Sequence, residues 1–139
     1  MLLKYALAYL ATGLAFAALD AVWLTVAGPR LYRPTLDPIL SGTVNLTAAA
    51  AFYVIYVAGV VLLAILPAAR EDAGWTRPLL NGALLGFMAY ATYDLTNQAT
   101  LKAWTTRITI ADIGWGTFLS ACAATSGYFA YRWAEARFG

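Results

Sequence analysis

Apolar positions in this chain come in long unbroken runs, not at every second place as in a half-buried strand. Four runs stand out, over residues 3–26, 45–67, 79–100 and 109–131. Each supplies about the 20 mostly apolar residues that a membrane-crossing helix needs. The pattern predicts an all-α integral membrane four-helix bundle, with residues 1–139 forming a single transmembrane domain. The first run follows Lys4 as a signal peptide would, yet it continues through Trp23 and Val26 without a polar cleavage region. It is therefore read as a retained helix.

The connections are short. "GPRLYRPTLDPILSG", residues 28–42, holds three prolines and reads as an interfacial loop with at most one short helical turn. "AAREDAGWTRP", residues 68–78, is a polar turn, and "LKAWTTRI", residues 101–108, sets Trp104 in the aromatic belt. Lys4, Arg70, Arg77, Arg132 and Arg137 fall on one side of the membrane; Arg30, Arg33, Lys102 and Arg107 fall on the other. Five against four places both termini on the cytoplasmic side of the cell membrane.

Composition fits this picture. Of 139 residues 62% are hydrophobic and 12% are charged, about half the usual charged share. A net charge of +2, with no basic patch interleaved with aromatics, excludes nucleic acid as a partner. The chain has no histidine, which removes imidazole ligation of haem or iron, the usual zinc sites and histidine acid–base chemistry. No metal site and no cofactor is expected. The single cysteine, Cys122, lies in an apolar run and reads as a small packing residue.

Small residues recur every four places at Gly82 and Gly86, and again at Gly116, Ser120 and Ala124. Such seams let helix backbones approach closely in lipid. They serve either neighbouring helices of one chain or copies of it in a homo-oligomer.

The polar residues inside the runs share one depth. Asp20 and Asp94 each lie six residues before the end of their run, and Asp112 lies three residues into its own. That puts the first two about 9 Å, and the third about 5 Å, below the same membrane face. Asn45 and Thr47, opening the second run, join the layer. Trp23 follows Asp20 by three residues and Trp115 follows Asp112 by three, so each pair shares a helix face. Tyr90, Asn97 and Gln98 share the stripe of Asp94. A charged residue at a span centre costs about 2.5–3.5 kcal/mol on insertion scales, so these carboxylates call for an explanation.

The candidate ligand-binding residues are accordingly Asp20, Asp94, Asn97, Tyr90, Trp23, Asp112 and Trp115. Asn97 and Tyr90 are expected to hold the Asp94 carboxyl by hydrogen bonds. Structural alternatives stand beside this. Asp112, three residues after Thr109, suits a carboxylate capping the first turn of a helix. Asp20 and Asp94 suit ion pairs with Arg30, Arg33, Lys102 or Arg107. Tyr53 and Tyr56 read as packing residues whose hydroxyls find a neighbour, and Asn45 reads as a helix cap.

The stretches "LDAVWL" (19–24), "NLTAAAAFYVIYVAG" (45–59), "NGALLGFMAYATYDLTNQATL" (81–101) and "DIGWGTFLSACAAT" (112–125) resemble the domain-of-unknown-function 2177 family of small bacterial membrane proteins. The resemblance covers nearly the whole chain. "YDLTN" and the aspartate-x-x-tryptophan-glycine stretch are its most specific parts. It implies four membrane helices, brings no established activity, and leans toward lipid.

Three functions fit these features. The first is binding or transport of a cation, a proton or a small amphiphile through the polar layer. The second is a membrane enzyme acting on lipid or fatty-acyl substrates with carboxylates as acid and base, magnesium being held through lipid phosphates. The third is an accessory subunit of a membrane complex.

Overall fold

Proline spacing shapes the first helix. In the computed structural model, which describes residues 2–139, helix α1 runs as one helical stretch over Leu3–Ile39. The segment expected to be a loop instead continues the helix: a π turn over Gly28–Tyr32, an α turn over Arg33–Leu36 and a 3-10 turn over Asp37–Ile39. Pro34 has no N–H to give the carbonyl four residues back. The preceding Arg33 N–H reaches one residue further, to the Gly28 carbonyl, and the ladder resumes beyond the proline. Each proline stands in the first positions of its segment, where a missing N–H costs little.

Helix α2, Leu46–Arg70, repeats the device. The Leu66 N–H bonds the Val61 carbonyl immediately before Pro67. Asn45 caps its start, accepting from the Ala48 N–H at 3.0 Å, and stays exposed outside the polar layer. Helix α3 is Thr76–Thr100 and helix α4 is Thr106–Phe138. Gly74, at a positive φ of 75°, closes the turn before α3.

Three of the four helices, α1, α2 and α4, are long and apolar enough to cross a membrane. Helix α3 is as long at 25 residues but more polar, because it carries Asn81, Asp94, Asn97 and Gln98. It still presents Leu80, Leu84, Phe87 and Met88 outward, in line with the exposed Leu10, Leu14, Val22, Ile55 and Phe118 of the other helices. An outward apolar belt of this extent suits lipid and not water. The chain is an all-α membrane helix bundle.

Helix α4 lies between α1 and α3. Against α3 it packs through the small residues. A Cβ on Gly82 would lie 2.6 Å from the Ser120 carbonyl oxygen and 2.7 Å from the Ala124 Cβ. A Cβ on Gly86 would strike Ser120 and the Gly116 carbonyl, and the Tyr90 ring lies on Gly116. The two seams therefore meet each other within the chain. Against α1, Gly127 admits Thr12 and Ala8.

The core is solid toward the termini. There Ala8, Val60, Ala64, Ile65, Ala124 and Tyr128 pack together, and Phe16, Leu119 and Ala123 form a second cluster. Four ion pairs tie that end: Lys4 to Glu135 at 2.7 Å, Arg132 to Asp72 at 2.9 Å, Arg132 to Glu135 at 3.3 Å and Arg77 to Glu71 at 3.6 Å. Toward the other face the bundle opens. Val57, Val60 and Ile65 of α2 are buried, whereas Leu46, Val54 and Ile55 in its first half are exposed. Helix α2 thus joins the bundle chiefly by its second half, with Tyr53 of the first half reaching Phe16 and Asp20.

Candidate functional site

The opening between the helices is a cavity of about 980 Å³ at the face where α1 and α3 end. Asp20 and Trp23 line it from α1, and Tyr90 and Asn97 from α3. Asp112 and Trp115 contribute from α4, Leu36 and Ile39 from the extension of α1, and Leu40 from just beyond its end. Six of the seven candidate residues thus share one cavity. The seventh, Asp94, is wholly buried behind it.

Each cavity carboxyl is held by a tyrosine from another part of the fold. The Tyr53 hydroxyl of α2 donates to Asp20 at 2.5 Å. The Tyr32 hydroxyl donates to Asp112 and itself accepts from the Trp23 indole N–H at 2.8 Å. Trp23 stacks on Trp115 with ring centroids 4.6 Å apart and planes 5° from parallel. These indoles lock α1 to α4 beside the carboxyls, although the buried Trp115 N–H has no partner.

Several expectations are corrected here. Asp112 does not cap a helix: α4 begins at Thr106, its cap is Thr105 accepting from the Ile108 N–H, and Asp112 lies well inside. No ion pair joins Asp20 or Asp94 to Arg30, Arg33, Lys102 or Arg107, since every ion pair among the described residues involves Glu71, Asp72 or Glu135. Neither Asn97 nor Tyr90 holds Asp94, because no group donates to either of its oxygens. Asn97 faces the cavity and the Tyr90 ring covers Gly116. Tyr56 does find a neighbour, at 2.7 Å from the Ser120 hydroxyl.

Tyr32 is the residue that sequence reasoning missed. It lay in a segment read as a loop, and its only signal was that apolar residues continue between the prolines. The Tyr53 hydroxyl also finds a neighbour, as expected, and that neighbour is Asp20.

Asp94 completes a regular register. Along α3, Gly82, Gly86, Tyr90 and Asp94 follow one another every four residues, as Ala124, Ser120, Gly116 and Asp112 do in reverse along α4. Residue by residue the two stripes meet at Gly82, Gly86 and Tyr90, and the same register sets Asp94 opposite Asp112 at the last step. A second, shallower groove of about 370 Å³ is lined by Phe52 and Tyr56 of α2 and Ala89, Tyr90 and Tyr93 of α3. Tyr90 and Tyr93 belong to both walls, so the groove adjoins the cavity.

The arrangement offers two acceptor carboxyls, stacked indoles and an apolar lining to whatever occupies the cavity. Among the described residues no three acidic or cysteine side chains cluster as metal ligands would. A family model described as predicted membrane protein, DUF2177, matches residues 5–129. No curated protein and no solved structure matches the chain.

Proposed function

The chain belongs to the DUF2177 family of predicted membrane proteins, and we propose that it binds a small amphiphile with a cationic head group. The observation that carries this reading is the pair of cavity carboxyls, Asp20 and Asp112, each held by a tyrosine and neither paired with a cation. An acidic floor in a largely apolar cavity, whose lining includes one exposed cation, Arg33, recruits a positive group and disfavours an anion at the floor itself. The stacked Trp23 and Trp115 add ring faces, which favour a cation further.

The rest of the lining suits the tail. Leu24, Leu36, Ile39, Leu40 and Val44 cover the walls, and the volume falls in the range of about 300–1,000 Å³ usual for small-ligand pockets. The adjoining groove between α2 and α3 lies on the side where α2 leaves the bundle, which gives an acyl chain a route from lipid.

The test is titration of the detergent-solubilised protein with an alkyltrimethylammonium, followed by native mass spectrometry and tryptophan fluorescence. Saturable binding is expected, weakened by about tenfold in Asp20→Asn, the order of one charged contact of roughly 1.5 kcal/mol. An alkyl sulfate of equal chain length should bind worse. Equal binding of the two surfactants would sink the reading.

A further inference from the structure

Asp94 is an ionisable side chain with nowhere to place a charge. It is 0% exposed, neither oxygen receives a hydrogen bond, and no ion pair reaches it. An isolated buried carboxylate costs several kcal/mol and takes up a proton instead. The register of the α3–α4 seam sets the Asp112 carboxyl opposite that of Asp94. Two ionised carboxylates facing each other out of water repel, whereas one carboxylic acid and one carboxylate share a hydrogen readily. Asp112 is the member equipped to stay ionised, since Tyr32 donates to it and it lines the cavity. Asp94 then carries the hydrogen.

We propose that Asp94 and Asp112 hold one proton between them, and that a cation settling on the cavity floor displaces it. The exchange step rests on the cavity reading given above; the shared proton does not. The step balances in charge and atoms. A positive head group comes to lie against the Asp112 and Asp20 carboxylates. The Asp94 O–H bond breaks, the proton passes to an Asp112 oxygen and from there to water in the cavity. One positive charge enters as one leaves, and the cation, held at the cavity floor by Asp112 and Asp20, takes the place of the shared proton as the counter-charge of the pair.

The surroundings suit a proton passed inward from the cavity. From α1 the pair is approached by Asp20 and Tyr32, with the exposed Arg33 further along the lining. Tyr90 and Tyr93 approach from α3, and Tyr53 of α2 reaches Asp20. Among these the one base is the Asp20 carboxylate, which already accepts from the Tyr53 hydroxyl. Asp94 itself does not line the cavity, so its proton has Asp112 as its exit.

The experiment has two readouts. Infrared spectroscopy of the ligand-free protein at neutral pH should show the carbonyl band of a protonated carboxylic acid, lost in Asp94→Asn. Absence of the band, or its survival in Asp94→Asn, overturns the proposal. In weakly buffered detergent, a pH-indicator dye should report about one proton released per alkyltrimethylammonium bound, and none per probe bound in Asp94→Asn. The probe has no ionisable hydrogen, so the proton counted comes from the protein. Probe binding without proton release, or with release of sodium instead, overturns the exchange. A probe that fails to bind removes the cavity reading and the exchange with it, while the infrared band still decides the shared proton. Both wild-type measurements stand if the variant fails to fold.

Discussion

Asp94 of α3 faces Asp112 of α4 at the end of a four-residue repeat through which the two helices otherwise meet by glycine, serine and alanine. The packing that lets backbones touch at Gly82 and Gly86 also buries Asp94 completely two steps further along α3. One of the pair looks into the cavity and the other does not.

That relationship sets the response to substitution at Asp94. Asparagine keeps the shape and offers an N–H to the Asp112 carboxylate, so Asp94→Asn is expected to unfold at or above the wild-type temperature in detergent. Asp94→Ala leaves Asp112 without its partner and should cost about 1–3 kcal/mol. Equal losses in the two variants would mean that Asp94 is needed as an ion.

The small-residue seam gives a steric prediction. In Gly82→Ala the new methyl group meets the Ser120 carbonyl oxygen at 2.6 Å, and backbone cannot yield as a side chain can. A loss of about 1–3 kcal/mol is expected from thermal unfolding. Gly114→Ala, at a site with nothing within 4 Å, should be neutral or stabilising through helix propensity. Similar behaviour of the two would contradict the seam.

Tyr32→Phe removes one hydroxyl and breaks two hydrogen bonds, leaving the Trp23 N–H without its acceptor and Asp112 without its donor. Because one bond goes to a carboxyl held as an ion, the expected loss is about 1.5–3 kcal/mol. Tryptophan emission should shift as well, since Trp23 stacks on Trp115. Unchanged stability and emission would argue that α1 ends before Tyr32 in the membrane.

Topology gives the fourth prediction. With four helices crossing in turn, reporters fused at Ala73 and at Gly139 should report the same side of the membrane. Opposite sides would show that the more polar α3 does not cross.

Residue type and spacing alone determined a good deal about this protein. Four apolar runs gave four helices, because a helix in lipid satisfies its own backbone and needs only length and apolar side chains. Counting from the ends of the runs put Asp20, Asp94 and Asp112 at one depth, and a repeat of four exposed the small-residue stripes. What the sequence left open was which stripe meets which. Helical periodicity tells which residues share a face, and it carries no mark of the helix that face will touch. Only the packed structure set Gly82 and Gly86 against Gly116, Ser120 and Ala124, and so placed Asp94 behind the cavity and not within it. Only the packed structure carried α1 past its prolines to bring Tyr32 to Asp112, eighty residues away in the chain. Local rules read those prolines as a break, whereas a π turn of one extra residue let the helix go on and deliver the hydroxyl.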